Sequence, residues 1–280
     1  MPLKPRPLAS ACSGLLAVLA AAVLASACSG GGKGEVILGA TTSVQDSGLL
    51  DRIVQGFQDS TGYRLKPVVG GSGQTLETAR RGEFDVILTH SPRDEQQFVA
   101  DGEGLDPKKV MRNYFLVAGP ESDPAGVKGA RSLPEAFRRI AAAGSGFISR
   151  GDNSGTNQRE MSVWQQLKID PKGQPWYQES AVGQGQNLLV ANDKAAYTLA
   201  DSATFIAFRR RTSLSELAAD HVDLNIYRVI LVNPSKHANV NADGAKAFAD
   251  YITGSKGQAL IADFGRQEYG QSLFEPVATK

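Results

Sequence analysis

The stretch E-V-I-L-G-A-T-T-S-V-Q-D-S-G-L-L-D-R-I-V-Q-G-F-Q-D-S-T-G, residues 35–62, sets a pattern that recurs along the chain. It opens with a short apolar, β-branched run at 35–39, the composition of a buried strand. Leu49, Leu50, Ile53, Val54 and Phe57 then recur at the spacing of one helical face. Asp46 or Ser47 is placed to cap this helix and Thr61-Gly62 to end it. Between strand and helix lies A-T-T-S (40–43), small and hydroxylated.

The same order returns further on. R-L-K-P-V-V (64–69) reads as a strand, V-G-G-S-G-Q-T (69–75) as a loop and Thr75 to Arg81 as a helix. F-D-V-I-L (84–88) is a buried strand, Pro92 to Ala100 a helix and N-Y-F-L-V-A-G-P (113–120) a strand. Ser132 followed by Glu135 makes a capping box before A-F-R-R-I-A-A-A. F-I-S (147–149) leads into S-R-G-D-N-S-G-T (149–156) and a helix with an apolar edge of Met161, Trp164 and Leu167. G-Q-G-Q-N (183–187) opens a helix from about Gln186, before a strand at A-Y-T-L (196–199) and a helix over Ser202–Arg210. A strand at 225–234 and helices over Ala242–Ile252 and Lys256–Phe264 close the chain. The alternation predicts a parallel sheet with helices on both faces. Residues 113–120 and 225–234 read as crossings between two α/β lobes, the second inserted into the first.

At the N-terminus Lys4 and Arg6 precede an apolar run from Leu15 to Ala27, too short to span a bilayer and suited to a secretory signal. L-A-S-A-C (24–28) resembles a bacterial lipoprotein signal that lipidates Cys28, although Ala25 stands where leucine is usual. Cys12 precedes the apolar run and is a poor candidate. S-G-G-G-K-G (29–34) is a flexible tether. Both cysteines fall in this zone, so the mature fold is expected to have no disulfide, cysteine nucleophile or cysteine metal site. Loss of Lys4 and Arg6 takes the formal charge from +1 to about −1, with no polybasic surface for nucleic acid.

The loops at 40–43, 69–75, 149–156 and 183–187 all precede helices. A helix N-terminus exposes unpaired N–H groups with partial positive charge, and ligands of open α/β sheets sit beyond the carboxyl ends of strands. Glycine permits close backbone approach, hydroxyls add neutral donors, and Arg150 brings charge with a two-pronged fork. Each loop alone reads more readily as a plain cap; their recurrence in four places raises the reading of a small anion to equal standing. Catalytic signals are weak. G-G-S-G-Q (70–74) has Gln74 where a nucleophile elbow needs glycine, no P-loop lysine follows, and His90, His221 and His237 lack metal-ligand spacing.

T-T-S-x-Q-D-S-G-L-L-D (41–51), G-x-G-Q (71–74), D-V-x-L-x-H-S-P (85–92), S-R-G-D-x-S-G-T (149–156) and A-Y-T-L-x-D (196–201) together resemble the tungstate-binding (TupA-type) proteins of bacterial ABC importers. The resemblance covers nearly the whole mature chain. It implies an α/β, two-lobed periplasmic-binding-protein-like fold of type II, with mixed sheets flanked by helices and a two-strand hinge. The expected layout is a signal peptide at 1–27, a tether at 28–34, lobe I at 35–115 with 231–280, and lobe II at 116–230. Carried over, Thr42, Ser43, Ser72 and Gly73 would bind the anion from the first lobe, and Arg150, Ser154, Gly155 and Thr156 from the second, with Asp152 holding Arg150. Ala40 replaces a usual threonine, so one hydroxyl is expected to be missing.

The implied ligand is tungstate, or molybdate, with no cofactor, no metal held as a cation and no enzymatic turnover. Tungstate and molybdate carry no proton near neutral pH and suit an all-donor site; phosphate keeps one and wants an acceptor. The implied partners are an ABC permease and its ATPase, with a monomer tied by lipid to a membrane, in the periplasm or on the cell surface. Molybdate or sulfate capture, a secreted enzyme and a sensor acting in trans are the alternatives.

Overall fold

The computed structural model describes Met1 and residues 33–278. The leader, Cys28 and most of the tether lie outside the described residues. Strand β1 (Glu35–Thr41) runs into a short helix α1 (Thr42–Asp46) and then α2 (Leu49–Thr61). Next come β2 (Arg64–Gly70), α3 (Ser72–Arg80), β3 (Val86–Thr89) and α4 (Pro92–Ala100). A 17-residue strand β4 (Gly104–Pro120) leads to α5 (Leu133–Ala143), β5 (Phe147–Ser149), α6 (Gly155–Leu167), β6 (Tyr177–Glu179), α7 (Gln184–Asp193), β7 (Thr198–Asp201) and α8 (Ser202–Phe208). A 19-residue strand β8 (Leu214–Val232) returns, followed by α9 (Ala242–Thr253), α10 (Ser255–Asp263), α11 (Arg266–Tyr269) and β9 (Glu275–Pro276).

Local signals place most of these elements. Helix α2 buries Leu49, Leu50, Ile53 and Phe57 on one face and stops at Gly62, whose left-handed φ of 77° needs no Cβ to be accommodated. Ser132 Oγ accepts from the Glu135 N–H at 3.3 Å to start α5, while Glu135 reaches back one residue further than a capping box requires, to the Arg131 N–H. Pro92 opens α4, where its missing N–H has no intrahelical partner to lose.

The main sheet has the order β2-β1-β3-β8-β4-β7, with β9 on β4. In this sheet the parallel pairs are β2–β1 and β1–β3; β8 is antiparallel to β3, and β4 is antiparallel to β8, β7 and β9. The sheet is therefore mixed, as the resemblance implies, and not wholly parallel as the alternation alone predicts. The cause is the long return strands: β4 and β8 pair along most of their length, so β8 must run back against its neighbours. Near β3, β8 contributes Arg228 to Leu231; near β7, β4 contributes Phe115 to Ala118. Their mutual register shifts between Asn113 and Phe115, where the pairing passes from Asn225 to Asp220. Both strands extend further than the apolar runs that announced them, through polar residues that solvent can reach, Lys108 and Lys109 in β4 and Asp220, His221 and Asp223 in β8.

Helices cover both faces. One apolar cluster joins Val36, Leu38, Phe57, Val229 and Phe248; a second joins Phe137, Phe147, Trp164 and Tyr197; a third joins Leu76, Phe84, Phe98 and Ile230. Phe137 and Trp164 lie 4.5 Å apart between ring centroids. Burying each such aromatic contributes about 1.5–3 kcal/mol. Among the described residues no helix is long and apolar enough to cross a membrane.

Candidate functional site

Four chain junctions converge. Helices α1, α3, α6 and α7 begin after Thr41, Gly71, Ser154 and Gly183, all with extended backbone at the cap. Three of these caps make no side-chain bond to their own helix, which leaves first-turn N–H groups for another partner. Only Ser154 caps in the ordinary way, accepting from the Asn157 N–H at 3.3 Å. Two loops differ from expectation. A-T-T-S is not a loop, since α1 starts at Thr42, and α3 starts at Ser72 rather than Thr75, leaving Gly71 alone between strand and helix. Small residues without an apolar period carried no helical signal there.

The junctions press together. A Cβ on Gly183 would lie 3.4 Å from Thr42 Cγ2, and one on Gly71 3.4 Å from Asp152 Oδ2 and Ser154 Cβ. On Gly155 a Cβ would meet the His90 carbonyl oxygen at 2.4 Å and its Nδ1 at 2.5 Å. Glycine at 155 is thus what lets the α6 N-terminus seat on His90. Two bonds flank the contact: the Gly185 N–H donates to Asp46 Oδ2 at 2.8 Å, and Gln158 Nε2 donates to Asp94 Oδ2 at 2.5 Å. Burial pushes the Asp46 carboxyl above its ordinary range, with the Gly185 bond opposing it.

Arg150 sits at the centre, 2 % exposed. Its Nη2 donates to Asp152 Oδ2 at 2.5 Å and to Thr42 Oγ1 at 3.1 Å, and Nη1 donates to Gln184 Oε1 at 3.4 Å. Its Nε is buried without a partner, as is Thr156 Oγ1. A buried cationic donor left unpaired is costly. Asp152 also accepts from the Ser154 N–H through Oδ1, at 3.1 Å, so one carboxylate fixes both the guanidinium and the loop.

Glu160 holds that loop from behind. It is buried and accepts from Ser149 Oγ at 2.7 Å, Tyr177 Oη at 2.8 Å and Trp164 Nε1 at 3.1 Å. Ser149 Oγ in turn accepts from the Gly151 N–H and from Asn157 Nδ2, both at 3.2 Å. Burial raises the Glu160 carboxyl above its usual range, against the pull of these donors.

Thr42, Ser43, Ser72, Gly73, Arg150, Ser154, Gly155 and Thr156 all lie at these junctions, and all but Thr42 are buried. Gly73 packs on Asn153: a Cβ there would meet Asn153 Nδ2 at 2.5 Å. Ala40 is different. It lies within β1 and its methyl belongs to the apolar cluster of Val36 and Leu38, so a hydroxyl at 40 would face the core and none is lost from the junctions. Sequence reasoning overlooked three residues. His90, set aside as a lone histidine, is 2 % exposed, with Nδ1 2.8 Å from Asn225 Oδ1 and Nε2 3.4 Å from Ser43 Oγ. Burial brings its pKa down to about 4. Tyr227 Oη lies 2.9 Å from Ser43 Oγ, and Gln184 touches Arg150. The available signal was position: His90 directly follows β3, and Gln184 follows the glycine that caps α7.

A mixed sheet crossed by two long strands, with helix N-termini meeting over a buried arginine between two lobes, defines a binding protein of the periplasmic type. A family model described as the PBP superfamily domain matches residues 25–256. The chain is 42 % identical to the tungstate-binding protein TupA of Peptoclostridium acidaminophilum, covering 89 % of this chain and 87 % of that one. It is 34 % identical to TupA of Campylobacter jejuni, over 79 % and 84 %. A crystal structure of the tungstate ABC transporter from Geobacter sulfurreducens superposes with a TM-score of 0.75 at 38 % identity, covering 82 % of this chain and 98 % of that one. TupA from Desulfovibrio alaskensis G20 gives 0.73 at 34 %, over 88 % and 99 %. The chain belongs to the TupA family of the PBP superfamily.

Proposed function

We propose that this protein captures tungstate outside the cytoplasm and delivers it to an ABC importer, without catalysing a reaction. Arg150 carries the reading: a guanidinium 2 % exposed, with Nε unpartnered, amid helix starts whose N–H groups lack side-chain caps. In this reading Thr42, Ser43, Ser72, Ser154 and Thr156 donate hydroxyl bonds, and Gly73 and Gly155 bring backbone N–H groups close. Arg150 supplies the charge, held by Asp152. The names of the relatives support tungstate as the ligand.

Two lobes, 35–115 with 231–280 and 116–230, would rock about β4 and β8. Ligand favours the closed form by its greater affinity for it. A permease and its ATPase would receive the closed monomer, and a lipid on Cys28 would hold it at the membrane.

Thermal melting of residues 29–280 against tungstate, molybdate, sulfate and phosphate tests this. At a thousandfold excess over Kd, binding adds about 4 kcal/mol, which raises Tm by roughly 8–16 °C in a chain of this size. A large shift with tungstate and little with phosphate or sulfate supports the proposal. No shift with any anion, from ligand-free protein, overturns it; an equal shift with molybdate sends the question of cargo to competitive calorimetry.

A further inference from the structure

Three hydroxyls at the junctions already accept a hydrogen bond from a fixed protein donor. Thr42 Oγ1 accepts from Arg150 Nη2, Ser72 Oγ from the His90 N–H at 3.4 Å, and Ser154 Oγ from the Asn157 N–H. A hydroxyl that accepts one bond becomes a better donor of its own hydrogen. Ser43 is less obvious, because a contact between two hydroxyls has no direction of its own. Its Oγ lies 2.9 Å from Tyr227 Oη, 3.2 Å from Thr41 Oγ1 and 3.4 Å from His90 Nε2.

Direction comes from Asp201, on the far side of the strand crossing. Its Oδ1 accepts from the backbone N–H of Thr204 at 3.1 Å, so the same oxygen accepts from Asn113 Nδ2 at 2.9 Å. That leaves Asn113 Oδ1 as the acceptor for Asn225 Nδ2, at 2.8 Å. Asn225 Nδ2 also donates to Tyr227 Oη at 3.1 Å, while Asn225 Oδ1 accepts from His90 Nδ1. Tyr227 Oη, having accepted from Asn225, turns its own hydrogen to Ser43 Oγ. With Nδ1 protonated, the neutral His90 ring keeps Nε2 bare, an acceptor only, which leaves Tyr227 rather than His90 as the donor to Ser43.

We propose that Tyr227, oriented through Asn225 and Asn113, determines specificity by filling an acceptor position of Ser43, so that Ser43 meets the anion as a donor and protonated oxyanions are disfavoured. The proposal rests on the oxyanion reading above and adds residues that need not touch the ligand. Tyr227 and Asn225 are positioning residues on β8, and Asn113 is one on β4; these are the two crossing strands. An oxyanion that keeps a proton brings an O–H that needs an acceptor, and four of the five hydroxyls of the seat, those of Thr42, Ser43, Ser72 and Ser154, each have one acceptor position already occupied, Thr156 Oγ1 being the exception.

The test is calorimetric titration with tungstate, with phosphate as competitor at neutral pH, on wild type, Tyr227→Phe, Ser43→Ala and the double variant. Tyr227→Phe keeps the buried ring and loses one hydroxyl. It is expected to weaken tungstate by about fivefold, the scale of one neutral hydrogen bond. Phosphate should hold or gain, so the preference narrows. In the Ser43→Ala background Tyr227→Phe should change nothing further. Equal losses for both anions, or a full effect of Tyr227→Phe without Ser43, would overturn the positioning role while leaving the importer reading intact. A wild type indifferent to tungstate would remove that reading and this proposal together. Nitrogen-15 spectra of the imidazoles give a check independent of any ligand: His90 is expected to carry its proton on Nδ1, and an Nε2–H tautomer overturns the direction of the chain.

Discussion

Replacing Arg150 separates a binding arginine from a structural one. Within the protein its bonds are to Asp152, Thr42 and Gln184, and Asp152 keeps 20 % of its side chain exposed. Water can reach that carboxylate, so losing the pair costs less than the ~3–5 kcal/mol of a fully buried one. Relief of the unpartnered Nε offsets part of this cost. Arg150→Ala should therefore lower the unliganded Tm only modestly. Its effect on a bound dianion is larger: each charged hydrogen bond contributes about 1.5–3 kcal/mol, so losing a fork of two weakens binding by roughly 10²–10⁴-fold. Arg150→Lys keeps the charge but not the planar fork, and should recover only part of the loss. Calorimetry on the three proteins, with melts in the absence of ligand, reads both quantities. If Arg150→Ala bound tungstate as tightly as wild type, the guanidinium would be a fold element and the seat would lie elsewhere.

Other perturbations reach the same site from different sides. Gly155→Ala places a methyl against the His90 carbonyl and should weaken tungstate at least tenfold and also lower the unliganded Tm, since overpacking of this kind costs about 1–3 kcal/mol; an unchanged Kd would mean that binding does not need that close approach. His90 faces Asn225, Ser43 and Tyr227, with Arg150 and Asp152 near enough to act on its charge. Its pKa is depressed to about 4 from 6.5, so the stability of the neutral buried ring is present above pH 6.5 and is lost as pH falls towards 4. The full loss is roughly 3 kcal/mol. Melts between pH 7 and 4 should therefore fall more steeply for wild type than for His90→Gln, and parallel curves would exclude this burial penalty. Cys28→Ser should move the protein from the membrane fraction to the soluble one, and continued sedimentation with membranes would argue against the lipid anchor.

The elements read most clearly in the sequence were those whose apolar period matched their geometry, such as α2, α5 and β3. What stayed illegible has two physical causes. Helix α1 (T-S-V-Q-D) and the first turn of α3 (S-G-Q-T) hold Val44 as their one apolar side chain; they fold as helix because tertiary contacts hold them and have no apolar stripe to announce it. The added lengths of β4 and β8 carry polar residues and each pairs with the apolar part of the other strand, Lys108 with Val229 and Asp220 with Phe115, so pairing rather than an apolar run makes them strands.

The residues of the site divide along the same line. Arg150 and its loop were legible because charge, hydroxyls and glycine lie within eight consecutive positions, a concentration that plain turns seldom need. Ser43 and Tyr227 touch although 184 residues separate them, and Asn113 meets Asp201 across 88. No window on the sequence contains both members of either pair. A buried asparagine on a strand reads as a weakness of that strand until the strand crossing brings Asn113 and Asn225 into register. There each satisfies the other, and the pair passes on a direction that neither could set alone. Local sequence could suggest that the protein holds an anion; how the surrounding hydroxyls are oriented depends on contacts made only when the two long strands cross.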